Sequence, residues 1–187
     1  MRSRPWGPPA TAELEPDADP EQVARTILLR KLTAAPRTRA QLRDDLIGRG
    51  IPEDVADRVL DRFTDVGLID DGAYARLWVE SRHRSRGSAR SVLRQELRHK
   101  GVDAALVEDA LADLDADSER TRAAELVRVK ARSLSRLEPQ ARVRRLVGML
   151  QRRGYSSSVA YSVVREVLPG VTEQWEGDSM SRPDESP

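Results

Sequence analysis

The feature that most limits how this chain can fold is a threefold self-similarity. The segments LRDDLIGRGIPEDVADRVLDRF from Leu42, LRQELRHKGVDAALVEDALADL from Leu93 and LVGMLQRRGYSSSVAYSVVREV from Leu146 superimpose without a gap, at offsets of 51 and 53 residues. Equivalent places hold Leu46, Leu97 and Leu150, then Gly50, Gly101 and Gly154, then Ile51, Val102 and Tyr155. A glycine so placed ends a helix in a left-handed turn, and the apolar residue after it folds back on the last turn. The next helix repeats a two-column apolar stripe: Val55, Ala56, Val59, Leu60 and Phe63; Leu106, Val107, Ala110, Leu111 and Leu114; Val159, Ala160, Val163, Val164 and Val167. A further helix precedes each copy, with stripes at Val23, Ile27, Leu28 and Leu32; Tyr74, Ala75, Trp78 and Val79; Ala123, Val127, Ala131 and Leu134. The expectation is an all-α fold of three tandem three-helix repeats. A unit of about 50 residues buries too little surface alone, so the copies are expected to stack as an elongated, curved array.

Composition agrees with helices. Hydrophobic residues make up 39% of the 187, enough for a core, but aromatics only 4%, which disfavours strands. With no cysteine, disulfide scaffolds, thiolate metal sites and cysteine nucleophiles are excluded. No apolar run approaches the roughly 18 residues of a membrane span, and the first 20 residues lack the apolar stretch of a signal peptide. A soluble, cytoplasmic, monomeric protein without membrane contact is expected.

Breakers at Ala35-Pro36, Gly50-Ile51-Pro52, Gly67, Arg86-Gly87, Gly101, Glu138-Pro139 and Gly154 divide the middle of the chain into nine helices. Start signals stand at Asp19-Pro20, Thr38 with Gln41, Ser88, Asp103, Glu138-Pro139 and Ser156. The expected organisation is repeat 1 over 20–69, repeat 2 over 70–116 and repeat 3 over 117–168. The flanking tails, 1–19 and 169–187, are proline-rich or polar and are expected to be disordered. Trp6 and Trp175 in those tails are candidate docking anchors, whereas Trp78 falls on an apolar stripe and reads as core.

Overall charge is balanced, Lys+Arg 32 against Asp+Glu 31, but it is segregated along the chain. Residues 53–71 carry a net −5 and residues 103–119 seven acids without a base, while 82–100 carry +6 and 128–153 carry +8. The basic stretches have almost no acid at i±4 to neutralise them, so Arg82, Arg84, Arg86, Arg90, Arg94, Arg98, Lys100, Arg128, Arg132, Arg142, Arg145, Arg152 and Arg153 are the candidate binding residues. Phosphates are one ligand class for them; acidic surfaces of neighbouring repeats are the other. A helix-turn-helix reader would put the post-glycine helix in the major groove. Here those helices carry Asp54, Asp57 and Asp61, or Glu108, Asp109 and Asp113, which phosphates would repel. His83 and His99 lie among bases without a second ligand at helical spacing, and neither a GxxxxGK[ST] nor a GxGxxG motif occurs. No catalytic residue, metal site or cofactor is expected.

The second copy carries the most distinctive run: Asp71-Gly-Ala-Tyr74-Ala75-Arg-Leu-Trp78, Arg82, Arg86-Gly87, then Leu93-Arg-Gln-Glu96-Leu97-Arg-His-Lys100-Gly101-Val102. This resembles the RecX family of bacterial recombination regulators over about residues 20–168, three-repeat layout included. The third copy departs most, with Met149-Leu150-Gln-Arg-Arg-Gly154 in place of the Glu-Leu-x-x-Lys-Gly form. The resemblance implies a protein that binds the RecA recombinase, lies along the groove of its filament on single-stranded DNA, and inhibits filament growth, ATPase and strand exchange. An independent helix-turn-helix-like DNA-binding protein is the alternative.

Overall fold

The computed structural model describes residues 19–169; both tails expected to be disordered, with Trp6 and Trp175, lie outside them apart from Asp19 and Pro169. The described residues form nine helices and no strand: α1 Pro20–Ala34, α2 Arg39–Ile47, α3 Glu53–Asp65, α4 Asp71–Arg86, α5 Arg90–His99, α6 Ala104–Leu111, α7 Ala116–Arg132, α8 Pro139–Gln151 and α9 Ser157–Val167. They fall into two compact units, 19–74 with 100–103, and 75–99 with 104–169.

Local chemistry sets most boundaries. The Thr38 hydroxyl accepts from Gln41 N while the Gln41 side chain accepts from Thr38 N, a reciprocal cap that satisfies two otherwise orphaned amides. Asp19, Asp115 and Ser156 cap α1, α7 and α9. Asp70, an unexpected cap, accepts from Ala73 N at 2.7 Å. Ser88 does not serve as the expected cap, because α5 begins at Arg90 and takes its first-turn acceptor from elsewhere in the chain. α6 is also shorter than its stripe implied. It stops at Leu111, and Leu114 lies in the turn beyond, since Asp115 already caps the next helix.

The repeated glycine turns close as the pattern predicts. Ile51 N bonds Leu46 O and Tyr155 N bonds Leu150 O, both at 3.2 Å, with Ile51, Val102 and Tyr155 buried under their helices. In the first unit Ala24, Ile27, Leu28, Leu42, Leu46, Val59 and Leu60 share one core with Phe63 and Ile69. In the second, α7, α8 and α9 enclose Val127, Leu146, Leu150, Ala160, Val163 and Val164. Trp78 departs from its core assignment: it is half-buried, and its indole N–H donates to Glu96 Oε2 at 2.7 Å. The need of that N–H for an acceptor keeps the ring at the core margin.

A joint of one design occurs in each unit. At the start of α2, the Thr38 hydroxyl donates to Lys100 O at 2.7 Å and Arg39 N to Asp71 Oδ1 at 2.8 Å. At the start of α5, Ala89 N donates to Arg153 O at 2.8 Å and Arg90 N to Glu119 Oε1 at 2.6 Å. Each helix start thus leans on the glycine turn and the helix-opening acid of the following copy. Gly101 (φ 76°) and Gly154 (φ 91°) occupy the contact. A Cβ on Gly101 would stand 2.3 Å from Ala40 Cβ, and one on Gly154 2.5 Å from Val92 Cγ2.

Candidate functional site

The segregated charge is largely resolved inside each copy. Arg43 of α2 donates from Nε to Asp57 at 2.9 Å and from Nη2 to Glu53 at 3.0 Å on α3, and Arg39 reaches Asp61 at 2.6 Å. The Arg43 guanidinium holds the Asp57 carboxyl below its ordinary range. The second copy repeats the arrangement. Arg94 of α5 grips Glu108 of α6 with two bonds of 2.6 and 2.8 Å, and Arg90 stands 3.5 Å from the same carboxylate. Hydrogen bonding from Arg94, then the Arg94 charge and the weaker Arg90 contacts, hold the Glu108 carboxyl down at about 2. In the third copy the equivalent positions are Val143 and Val147, both buried, and Tyr161. Arg90 and Arg94 were expected to be an uncompensated stripe. They are half-buried and paired, because their acid lies on the next helix, beyond the reach of an i±4 test.

This pair has a pH signature. A carboxyl held near 2 when folded, against 4.5 ordinarily, contributes stability that is present above pH 4.5 and lost as the pH falls towards 2. The effect is modest, since the Glu108 side chain is 45% exposed. Thermal melts of the wild type should therefore fall more steeply on acidification through this window than those of Glu108→Gln. Parallel slopes would show that the pair contributes nothing.

The other candidate bases divide into two groups. Arg82 stacks 4.3 Å from the Trp78 ring centroid and lies 3.9 Å from Glu96, and Arg84 pairs with Glu80. Arg142 Nη2 donates to Ala131 O at 3.3 Å, and Arg153 Nε donates to Arg86 O at 2.7 Å. Lys100, half-buried in the first unit, lends its carbonyl to Thr38. Apart from the Arg84–Glu80 pair, which lies within α4, these side chains and carbonyls tie separate segments together. By contrast, the side chains of Arg86, Arg98, Arg128, Arg132, Arg145 and Arg152 are exposed, with no carboxylate in ion-pair range among the described residues. Arg128 and Arg132 stand one turn apart on α7, while Arg145 lies on α8 and Arg152 at that helix's C-cap. Arg136 and Arg144 share that exposure and were missing from the candidate set, although both fall in the +8 stretch. Among the described residues no group of His, Asp and Glu could hold a metal ion, and no helix is long and apolar enough to cross a membrane. His83 is used locally, its Nδ1 lying 3.1 Å from Ser88 O.

Comparison with known proteins assigns every copy. Family models described as the first, second and third three-helix domains of RecX match residues 24–63, 70–111 and 117–164. Regulatory protein RecX of Streptomyces lividans is 52% identical over 162 residues, covering 87% of this chain and 86% of that protein. Its counterpart in Mycobacterium marinum is 53% identical over 158 residues, covering 84% and 89%. A crystal structure of RecX from Lactobacillus salivarius superimposes with a TM-score of 0.71 at 22% identity, over 79% of this chain and 96% of that one. A second crystal structure of regulatory protein RecX gives 0.68 at 26% identity, over 79% and 72%.

Proposed function

Since the chain belongs to the RecX family, we propose that it regulates the RecA recombinase. It binds RecA and the RecA filament on single-stranded DNA, and limits filament growth, ATP hydrolysis and strand exchange. The observation that carries this reading is the division among the arginines. Those of α2 and most of α5 are taken up by acids of the same copy, while Arg98, Arg128, Arg132, Arg145 and Arg152 of the second unit stay exposed without an acid. Such side chains can meet phosphates or a carboxylate-bearing protein surface at no cost in internal pairing. Relatives carrying the name regulatory protein support a binding role over a catalytic one.

The helix-turn-helix alternative is disfavoured by α6. Glu108 is neutralised, yet Asp109 on α6 and Asp113 in the turn beyond it remain exposed with no cation in ion-pair range among the described residues, and α6 carries no base. A helix with that face gains nothing between two phosphate backbones.

The test is a titration of the protein into RecA on single-stranded DNA while phosphate release is followed. Inhibition should set in below one copy per RecA subunit, because several modest contacts on one chain raise each other's effective concentration. The protein alone should release no phosphate. Inhibition that needs a full equivalent, or that vanishes once filaments are preformed, would favour simple competition for DNA.

A further inference from the structure

The third copy breaks the charge rule that the first two obey. On α3 stand Glu53, Asp54, Asp57 and Asp61; the combined offset of 104 residues puts Ser157, Ser158, Tyr161 and Arg165 of α9 in their places. From Pro139 to Arg165 the chain has six arginines and no acid, whereas the equivalent stretches hold six acids in the first copy and four in the second. Glu166, the one acid of α9, is held by Arg120 at 2.6 Å. The objection that bars α3 and α6 from a phosphate backbone therefore does not apply to α9.

The helix beside it has changed in step. Ala40 and Ser91, which meet the glycine turns at Gly101 and Gly154, correspond to Arg144 of α8. Arg144 is exposed, with no carboxylate in ion-pair range among the described residues. Tyr161 is 41% exposed, more than any other described aromatic: Phe63 and Tyr155 are buried, and Tyr74 and Trp78 half-buried. Ser158, Tyr161 and Arg165 follow at spacings of three and four, so they form one exposed stripe on α9. The outermost copy of a repeat array needs only a polar outer face, which the serines and arginines supply. An exposed ring among them calls for a flat ligand.

We infer that this stripe is a contact for single-stranded nucleic acid, in which a base stacks on the Tyr161 ring while Arg165, one turn on, and Arg144 of the adjoining helix meet backbone phosphates. Stacking on a side chain needs bases freed from pairing, which a duplex does not offer, and arginines beside the ring hold the backbone near it. A carboxylate-bearing protein surface would satisfy the arginines and leave the ring unused. The inference rests on the function proposed above for the kind of strand the protein meets, but the contact itself is measured without RecA.

The full-length protein is titrated against a labelled deoxythymidine oligomer and against an abasic strand of the same length, near 50 mM salt. The wild type should prefer the strand with bases by about tenfold. Tyr161→Leu and Tyr161→Gln, which remove the flat ring from an exposed site, should each lose that preference while the dependence on salt stays the same; Tyr161→Phe should keep it. Arg165→Ala should weaken binding to both strands alike and flatten the slope of log affinity against log salt by about 0.7. Equal binding of the two strands by the wild type overturns the proposal, as does a preference that survives in Tyr161→Leu or Tyr161→Gln, or no binding to either strand. If those variants weaken inhibition of RecA ATP hydrolysis and bind both strands as the wild type does, the stripe faces a protein, and the proposal falls. If they lose the preference for bases while the wild type itself leaves RecA unaffected, the stacking contact stands and the regulatory function does not.

Discussion

Replacing Arg128, Arg132, Arg145 and Arg152 together by alanine will lower affinity for single-stranded DNA, or for the RecA filament built on it, by about a thousandfold near 50 mM salt. The estimate takes roughly 1 kcal/mol for each lost charge-assisted contact, about 4 kcal/mol in all. It should shrink as salt rises, and the slope of log affinity against log salt should flatten by about 0.7 per phosphate contact removed. Thermal stability should hardly move, because none of the four has a carboxylate in range among the described residues and all are exposed. That separates them from Arg90 and Arg94. Removing those two leaves the Glu108 carboxylate without its partners, so a loss of binding there would be mixed with a loss of stability. Equal binding by the quadruple variant at low salt, with unchanged melting, would reduce these side chains to solvated surface.

The second large effect concerns the joint. Gly154→Ala should destabilise the second unit by about 2–5 kcal/mol in urea unfolding, whereas Gly67→Ala should cost the first only about 1–2 kcal/mol. Both glycines have left-handed backbones, φ 91° and 73°, so both variants bear the steric penalty of a Cβ there, roughly 1–2 kcal/mol. They differ in their surroundings. At Gly67 a Cβ meets nothing within 4 Å, but at Gly154 it falls 2.5 Å from Val92 Cγ2 and 2.7 Å from Ser91 Oγ. Relieving that contact requires α5 to retreat, which strains the Ser91 hydroxyl bond to Gly154 O, 2.6 Å in the wild type, and adds an overpacking cost of roughly 1–3 kcal/mol. Equal costs at the two glycines would mean that the joint has slack.

What could be read from the residues alone, and what could not, follows from sequence range. Helix number, the glycine turns and the core leucines depend on spacings of a few residues, and Leu46, Leu97 and Leu150 are indeed fully buried. Trp78 and Leu114 were misplaced by extending a periodic stripe past the point where an indole N–H or a neighbouring cap takes over. The arginine pairs escaped because their acids lie 14 residues away, across a turn whose geometry no helical spacing encodes. A trace was nevertheless present: the 51-residue offset that aligns the copies carries Arg43 onto Arg94 and Asp57 onto Glu108. The exposed arginines could not be told from the paired ones by composition, since both kinds sit in the same charge runs. The acceptors that open α2 and α5 were beyond any local reading, being 29 to 64 residues downstream (119 − 90 for Glu119, 153 − 89 for Arg153).

That last distance has a consequence for how the molecule is made. A polypeptide is built from its N-terminus, and α2 is synthesised before Asp71 and Lys100 have been translated. Its first-turn amide and the Thr38 hydroxyl then have only water for their outward bonds. The same holds for α5 until Glu119 and Arg153 appear. The first and second copies are each finished by the one synthesised after them, so a nascent chain stalled between copies contains a helix whose opening turn is incomplete. Completion therefore runs backwards along the chain, with the last segment to be translated closing the helix start of the one before.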